Sequence, residues 1–453
     1  MIISKNPTTG VKIQSYKEHT MDQVEEILLD VQSAQAGWNM TDFKIRSELF
    51  KKLSDHLLVN EKRYAELITA EMGKPIMESK AEIQKCSWVS KYYAENAEEF
   101  LRDEKISSDA SDSFVSFSPL GVILAIMPWN FPFWQVFRFA APALMGGNTA
   151  ILKHASNVSG CALAIEEIFT EVGFPKDIFR TLIISSHRMN EIIENEIIKA
   201  VTLTGSEPAG SAVASTAGKE IKKTVLELGG SDPFIVLNDA DLSQCIPVAI
   251  AARFLNAGQS CIAAKRFIVE EGILNKFTEE ISAKIRSLVI GDPMDEKTDI
   301  GPLAKPDLVE ELHYQVKESE LQGAKLLLGG KKSENQGHYY EPTLLTGVTP
   351  EMSVFREETF GPVFSIIPAK DIDDAIKLAN DSQFGLGASI WTFDQEITKK
   401  TTQKIEAGAV FFNGMVKSDP RLPFGGVKKS GYGRELSHYG IKEFQNIKTI
   451  WIK

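Results

Sequence analysis

Short apolar runs alternate with helical segments between residues 122 and 228, and this alternation constrains the fold more than any other feature of the sequence. Strands are predicted at 122–127, 150–152, 181–184, 200–203 and 223–226, and helices at 133–144, 158–172 and from Glu207. Parallel strands need crossover connections, which are usually helical. The sequence therefore predicts an α/β fold with a doubly wound parallel sheet, and such sheets bind ligands at the carboxyl ends of their strands.

The chain before and after this region predicts further structure. The first 100 residues look mainly helical, and Thr41 and Asp42 precede an apolar periodicity that predicts a capped helix at 43–58. A second α/β region begins at about residue 231, with strands predicted at 233–237, 267–269 and 409–411. The last segment, 448–453, predicts a terminal strand, and a free strand edge favours pairing with another subunit.

Composition and charge exclude several classes of protein. The 453 residues exceed one ordinary core and predict two or three domains. The 50 basic and 61 acidic side chains give a net charge of −11, which disfavours nucleic acid as a partner. Polar residues and prolines interrupt the most apolar stretch, 121–139, so no membrane span is predicted. The N-terminus has no signal pattern, and four widely spaced cysteines predict reduced thiols in a cytoplasm rather than a metal site or disulfides.

Cys261 is the candidate nucleophile. It lies in the segment FLNAGQSCIAAKR, whose asparagine, glycine and glutamine predict a loop rather than a buried helix face. Lys265 and Arg266 would favour the thiolate if they lie close to it. For such a residue taken alone, a buried and unreactive cysteine is the alternative.

Two polar residues follow predicted strands and are candidates for supporting roles. Glu227 ends a strand before Gly229 and Gly230, a position that suits a general base and equally a solvated glutamate. Asn130 follows another strand in PWNFPFW, where its amide could stabilise an oxyanion or cap the next helix. The residues alone leave both pairs of alternatives open.

Seven segments between Pro128 and Glu435 occur in an order that resembles the aldehyde dehydrogenase superfamily. They are PWNFPFWQVFR, LKHASNV, TGS, ELGG, GQSC, EETFGP and PFGGVKKSGYGRE. Within the superfamily, LKHASNV with GQSCIAAKRF most resembles the shorter bacterial succinate-semialdehyde dehydrogenases. The resemblance implies NAD(P)-dependent oxidation of succinate semialdehyde, or of a similar short aldehyde that bears a carboxylate, to the acid.

The same resemblance implies the organisation of the chain. It implies a Rossmann-type NAD(P)-binding domain at 1–100 and 119–228, an α/β catalytic domain at 229–430, and a small β oligomerisation element at 101–118 and 431–453. Such proteins assemble as homodimers or homotetramers through the terminal strand. The same assembly is expected here.

The resemblance also implies catalytic roles. The thiolate that matches Cys261 adds to the aldehyde, and a thioester forms once hydride has been transferred. The residue that matches Glu227 activates the water that hydrolyses this thioester, while Asn130 and the Cys261 backbone N–H form the oxyanion hole. Glu435 matches a glutamate thought to relay protons, with an ordinary surface residue as the alternative.

The chain has no GxGxxG motif, so the residues that bind the cofactor are implied only by the resemblance. Gly205 and Ser206 open a predicted helix whose N-terminus could hold a phosphate. Lys153 matches a lysine that hydrogen-bonds the adenosine ribose. The matches to the nicotinamide-ribose clamp and to the walls of the groove are Glu358 and Phe360, and Trp129 and Leu228.

Ser156 bears on the choice between NAD and NADP. Superfamily members that prefer NAD often have glutamate at this position, where a carboxylate would repel a 2′-phosphate. Ser156 removes that repulsion and can donate a hydrogen bond, and Lys153 is close in sequence. We therefore expect NAD or NADP as the cofactor, with NADP at least accepted.

Arg138 and Ser418 are the candidate contacts for the substrate's carboxylate. Arg138 lies among apolar neighbours, and the matching arginine of succinate-semialdehyde dehydrogenases binds that carboxylate, with an internal ion pair as the alternative. Leu255 stands where some of these enzymes have a second arginine, and Ser418 is the candidate substitute. Ala263 stands where others have a second cysteine, which excludes a local disulfide switch.

Two other functions stay open. In a broad-specificity aldehyde dehydrogenase, Arg138 would serve only the structure. In a non-catalytic member of the fold, Cys261, Glu227 and Asn130 would have no shared purpose, and their joint presence argues against that possibility.

Overall fold

The structure is a computed structural model that describes residues 1–333 and 336–453. Its strands are β1 Ile2–Lys5, β2 Lys12–Tyr16, β3 Glu104–Lys105, β4 Asp112–Pro119, β5 Val122–Met127, β6 Thr149–His154, β7 Phe179–Thr181, β8 Ile198–Thr204, β9 Lys223–Glu227, β10 Asp232–Val236, β11 Ala264–Glu270, β12 Lys325–Leu328, β13 Thr343–Thr346, β14 Val363–Ala369, β15 Phe384–Gly385, β16 Gly387–Trp391, β17 Ala409–Phe412, β18 Val427–Lys428, β19 Gly431–Tyr432 and β20 Gln445–Ile452. Its helices are α1 Met21–Asn39, α2 Phe43–Val59, α3 Glu61–Met72, α4 Ile76–Phe100, α5 Trp134–Met145, α6 Ser159–Val172, α7 Met189–Glu194, α8 Glu207–Lys219, α9 Leu242–Phe254, α10 Glu271–Arg286, α11 Pro306–Leu321, α12 Ser353–Arg356, α13 Ile372–Asn380, α14 Gln395–Thr402 and α15 Ser437–Lys442.

The first large sheet is the predicted doubly wound sheet. Its strand order is β19-β9-β8-β5-β6-β7, and every neighbouring pair is parallel except β19 with β9. Successive residues of β5 pack into different hydrophobic clusters, Ile123 and Ala125 into one, Val122 and Leu124 into another. Because side chains alternate between the faces of a strand, both faces of this sheet are buried, which explains the nearly continuous apolar run VILAIM.

One strand lies elsewhere than the sequence predicted. The strand expected at 181–184 is β7, Phe179–Thr181, and the chain from 182 to 184 is buried but irregular. Leu182 donates one more backbone hydrogen bond to Leu152 before the chain leaves the sheet. The prediction was wrong because a short apolar run does not distinguish a buried loop from a strand.

The second large sheet has the order β12-β13-β14-β11-β10-β16-β17, parallel except for β12 with β13. The strands predicted at 233–237, 267–269 and 409–411 correspond to β10, β11 and β17. Central strand β11 begins at Ala264, directly after the loop that carries Cys261. The candidate nucleophile therefore lies directly before the middle strand of this sheet.

A third, antiparallel sheet contains β20, β4 and β3. The terminal strand predicted at 448–453 is β20, which begins earlier, at Gln445, and lies at the edge of the sheet. Ile447, Trp451 and Ile452 are exposed on it. An edge strand with exposed apolar side chains favours pairing with another chain.

The N-terminal helices support the first sheet. Helix α2 forms where it was predicted, but Asp42 at its N-cap makes no side-chain capping bond, and the Thr41 hydroxyl donates back to the Gly37 carbonyl instead, at 3.1 Å. The predicted capping pair is therefore absent. Helix α4 packs against α2, α3 and α5. Among the described residues, no helix is both long enough and apolar enough to cross a membrane.

Candidate active site

The loop that carries Cys261 has an unusual backbone. Asn256, Ala257 and Gly258 adopt positive φ angles of 55°, 50° and 76° in succession. Non-glycine residues rarely occupy this region, so the surrounding structure must hold the loop in place. A side chain at Gly258 would also collide with the Gly361 carbonyl oxygen, which explains the glycine there.

Buried polar contacts hold this loop. The Asn256 backbone N–H donates to the Glu78 carboxylate at 2.7 Å, and its side-chain amide donates to the Asn130 carbonyl at 2.8 Å. The Gln259 side-chain oxygen accepts from the Ala304 N–H at 2.9 Å. Hydrogen bonds of this kind offset the strained backbone and fix the position of Cys261.

Burial raises the pKa of the Cys261 thiol to about 11, while Arg138 and Lys265 oppose that rise. The Lys265 ammonium donates to the Cys261 carbonyl at 2.8 Å. Of the two cations that the sequence indicated, Arg266 is engaged elsewhere, because its guanidinium donates to the carbonyls of Ser231 and Leu378. Arg138, distant in sequence, is the guanidinium that favours the thiolate.

Glu227 is the last residue of β9, and its side chain is buried. Neither of its carboxyl oxygens has a hydrogen-bond partner among the described residues. Burial and the nearby Glu435 carboxylate raise its pKa well above the ordinary value. Glu435 is also buried, and its ion pair with Arg138 favours the charged form of Glu435 over that of Glu227.

Asn130 lies beside the cysteine loop and is buried. Its side-chain amide donates to the Gln259 carbonyl at 3.1 Å. Phe133 is the N-cap residue of α5 and makes no side-chain cap bond, so Asn130 is not the cap of that helix. The amide is therefore held at the end of β5, next to the loop of the candidate nucleophile.

A cavity of about 500 Å³ lies at the carboxyl ends of β5, β8 and β9. Most of the residues expected to bind a dinucleotide line it, namely Trp129, Gly205, Ser206, Leu228, Glu358 and Phe360. Asn130 and Cys261 line it as well. Ser206 is the N-cap of α8, so the positive end of that helix dipole faces the cavity.

One wall of this cavity is held by ionic and aromatic contacts. The Glu358 carboxylate accepts from the Gly230 N–H at 3.0 Å and pairs with the Lys265 ammonium at 3.3 Å. Trp129 and Phe360 pack edge to face, with ring centroids 5.8 Å apart. The residues present thus fit a nicotinamide dinucleotide, with carboxylate, apolar and helix-terminal contacts in one groove.

Lys153 and Ser156 lie near the next strand end, outside the lining of this cavity. Lys153 is buried in β6, and burial, with Lys305 nearby, lowers its pKa. Ser156 is exposed at the start of the 3₁₀ turn Ser156–Val158. The two lysines, Lys153 and Lys305, give this place a positive charge that suits a negatively charged group.

A second cavity, of about 340 Å³, meets the first at Cys261. Its walls include the aromatic rings of Phe131, Trp134 and Phe424, and Arg138 and Ser418 lie in the same lining. Because Cys261 lines both cavities, a molecule in one can meet a molecule in the other at the sulfur.

Arg138 has internal partners as well as a place in this lining. Besides its ion pair with Glu435, it donates to the Thr204 hydroxyl at 3.1 Å and lies 4.7 Å from the Phe424 ring centroid. The internal ion pair that the sequence left open is thus present. Ser418 is buried and accepts a hydrogen bond from the Lys85 ammonium at 2.8 Å.

Residues 1–450 match the aldehyde dehydrogenase family. The chain belongs to this family. A probable NADP(+) succinate-semialdehyde dehydrogenase from Synechocystis sp. is 51% identical to it over 451 residues, which are 100% of this chain and 99% of that protein. The NAD(P)+ succinate semialdehyde dehydrogenase of Escherichia coli strain K12 is 47% identical, covering 99% of this chain and 97% of that protein. The crystal structure of succinic semialdehyde dehydrogenase from Streptococcus pyogenes with NADP+ as the cofactor has a TM-score of 0.97 at 36% identity, covering 100% of both chains.

Sequence reasoning missed two polar residues of this aldehyde dehydrogenase site. Glu78 holds the cysteine loop and Lys85 lies in the second cavity, whereas Lys265, which the sequence did indicate, binds the backbone of that loop. Glu78 and Lys85 belong to helix α4, which looks like an ordinary amphipathic helix in the sequence. Only their spacing of seven residues, which places both on one helix face, could have indicated a shared role.

Proposed function

We propose that this aldehyde dehydrogenase oxidises succinate semialdehyde, or a similar short aldehyde that bears a carboxylate, to the acid with NAD or NADP. The observation that carries the proposal is the position of Cys261, where a dinucleotide-sized groove meets a cavity that contains cationic side chains. The names of the Synechocystis and Escherichia coli relatives agree with it. Cys261, Glu227 and Asn130 together speak against a non-catalytic member of the fold.

In the proposed reaction, the Cys261 thiolate attacks the carbonyl carbon, a C–S bond forms, and the former carbonyl oxygen carries the negative charge. Asn130 and the Cys261 backbone N–H stabilise this oxyanion. A dinucleotide held in the groove would supply the hydride acceptor, and the carbon attached to Cys261 would then be a thioester carbonyl. Glu227 then removes a proton from water, the water attacks the thioester, and the thiolate departs.

Glu227 must lose its own proton before it can act as a base. Burial and Glu435 raise its pKa and so favour its protonated form. The Glu435 carboxylate, which is paired with Arg138, acts on Glu227 electrostatically, so the charge of Glu435 affects how readily Glu227 loses that proton. We therefore propose that Glu435 acts on the reaction through Glu227 and does not itself touch the substrate.

The proposed cofactor contacts divide between two places. Trp129, Leu228, Glu358 and Phe360 would hold the nicotinamide end, and Gly205 and Ser206 the phosphates. Lys153 and Ser156 would hold the adenosine ribose, with NADP accepted because no carboxylate replaces Ser156.

The proposed assembly is a homodimer or homotetramer built through β20. Its support is the exposed apolar side of this edge strand.

The four cysteines form no disulfide, which suits a reducing compartment, and we expect the enzyme to work in the cytoplasm.

A kinetic matrix tests the proposed function. Succinate semialdehyde and butanal have four carbons each and differ in the carboxylate, so each is measured with NAD and with NADP. We expect kcat/KM to be at least about tenfold higher for succinate semialdehyde, the gain from one charge-assisted hydrogen bond. Equal values for the two aldehydes would favour a broad-specificity enzyme instead, for which the aromatic walls of the second cavity would suffice.

A further inference from the structure

Lys85 is a cation in the substrate cavity to which the sequence assigned no role. It lies on α4, partly buried, and lines the same cavity as Cys261 and Arg138. Its ammonium donates to the Ser418 hydroxyl at 2.8 Å and lies 4.2 Å from the centroid of the Trp134 ring. The hydroxyl and the ring fix the head group, but neither carries a charge that balances it.

The carboxylates near Lys85 are already engaged with other partners. Glu82 forms a buried ion pair with Lys74 and also accepts the backbone N–H groups of Phe133 and Trp134. Asp419 pairs with the Arg421 guanidinium at 2.7 Å. Within residues 1–333 and 336–453, no carboxylate oxygen lies within 4.0 Å of the Lys85 ammonium.

The other charged groups of the cavity lining are compensated or exposed. Arg138 is paired with Glu435, and Glu78 accepts the Asn256 N–H at 2.7 Å. Lys417 is exposed, so water screens its charge. Lys85 is thus the partly buried cation of this lining that has no counterion among the described residues.

We propose that Lys85 binds the carboxylate of the aldehyde substrate and, with Ser418, sets the preference for a carboxylate-bearing chain. The proposal rests on the proposed function and adds the residue that recognises the charge. An ammonium in a cavity without a counterion is unfavourable until an anion enters, so the binding of a carboxylate there is favoured. Burial and the nearby Arg138 guanidinium lower the pKa of Lys85 to about 8, and a bound carboxylate would oppose both effects.

The arrangement also explains how the chain manages without the second arginine that Leu255 replaces. Leu255 and Lys85 line the same cavity from different elements, the cysteine loop and α4. A charge supplied from α4 lets Leu255 remain apolar. Arg138 can then stay with Glu435 while the substrate's carboxylate is bound elsewhere.

The test compares Lys85→Met, Lys85→Arg and Lys91→Met with the unchanged enzyme. Methionine keeps the length of the side chain without its charge, and arginine restores the charge. Lys91 is an exposed lysine of the same helix that lies outside the cavity lining, so Lys91→Met controls for the loss of one positive charge. Steady-state kinetics with saturating NADP give kcat and KM for succinate semialdehyde and for butanal.

We expect Lys85→Met to lower the ratio of kcat/KM for succinate semialdehyde to that for butanal by about tenfold or more, mainly through KM. Lys85→Arg should recover most of the ratio, and Lys91→Met should keep it. A ratio that Lys85→Met leaves unchanged, or an equal loss for both aldehydes that arginine does not restore, would overturn the proposal. If the unchanged enzyme itself shows no preference between the aldehydes, the proposed function fails rather than the role of Lys85.

Discussion

The buried pair of Arg138 and Glu435 makes the sharpest prediction about this site. Arg138 is 1% exposed, and its guanidinium faces both Glu435 and the cavity that contains Cys261. In Arg138→Met the carboxyl groups of Glu435 and Glu227 would remain buried without that cation. Comparison of this variant with the double variant that also carries Glu435→Gln separates what Arg138 does for stability from what it does for the reaction.

Removal of one partner of a buried ion pair typically lowers the free energy of unfolding by about 3–5 kcal/mol. Burial already raises the pKa of Glu435, so without Arg138 this residue can be protonated and part of the loss is avoided. A carboxyl whose folded pKa lies above its unfolded pKa stabilises the fold at low pH and loses that contribution as pH rises. We therefore expect Arg138→Met to be less destabilised at pH 6 than at pH 8.

The measurement is urea unfolding of Arg138→Met, Glu435→Gln and the double variant, at one protein concentration because the enzyme is expected to be oligomeric. The double variant leaves no unpaired charge, so it should recover most of the stability that Arg138→Met loses. If the double variant is no more stable than Arg138→Met, or if the loss does not depend on pH, the ion pair is not what Arg138 contributes to folding.

Kinetics of the double variant then report on the chemistry. Arg138 opposes the rise of the Cys261 pKa, so kcat/KM should fall for every aldehyde when it is removed. If Arg138 also contacts the substrate's carboxylate, the fall should be about tenfold larger for succinate semialdehyde than for butanal. An equal fall for both would limit Arg138 to the thiolate and to Glu435.

Three further predictions follow from the same geometry. Glu227→Gln should retain a rapid first turnover and lower steady-state kcat by about 10²–10⁴-fold, because thioester hydrolysis loses its base; a stopped-flow trace without a burst would contradict this. Ser156→Glu should lower kcat/KM for NADP by about tenfold or more and leave that for NAD within a few-fold, because the new carboxylate would repel the 2′-phosphate; equal losses would place Ser156 outside the cofactor site. In the unchanged enzyme, the kcat/KM ratio of succinate semialdehyde to butanal should fall as pH rises through about 8, where Lys85 loses its proton, and Lys85→Arg should not show this fall. Burial raises the pKa of Glu78, in the same cavity lining, to about 7. Because Glu78 is present in the unchanged enzyme and in Lys85→Arg, its titration cannot account for a difference between the two. The charged or titratable groups that influence Lys85 are Arg138, Cys86, Glu82 and Asp419.

Local sequence determined much of the site. A strand that ends in a sharp loop fixes where the next side chain lies, which is why Glu227 at the end of β9 and Ser206 at the start of α8 are where the sequence predicted them. The strand VILAIM is found at its predicted bounds because burial on both faces leaves few alternatives. The family resemblance supplied roles for these positions, which the local pattern could not do.

Contacts between distant segments were beyond sequence reasoning. Side chains alternate along a strand, so Lys265 and Arg266 face opposite sides of β11, and only Lys265 reaches the cysteine loop. The guanidinium near the thiol comes from Arg138 on α5. Lys85 and Ser418 lie 333 positions apart, and no local pattern in either segment indicates that they meet.

These distant contacts separate two roles that the sequence left as alternatives for Arg138, which are binding of the substrate's carboxylate and an internal ion pair. If Arg138 left Glu435 to bind a substrate's carboxylate, Glu435 would gain a proton and the Glu227 beside it would titrate differently, so substrate binding would disturb the base. A carboxylate bound by Lys85 leaves the Arg138–Glu435 pair intact. The substrate's charge can then be recognised without a change in the protonation of Glu227, which activates water. Variants of Arg138 should therefore alter the titration of Glu227, and variants of Lys85 should not.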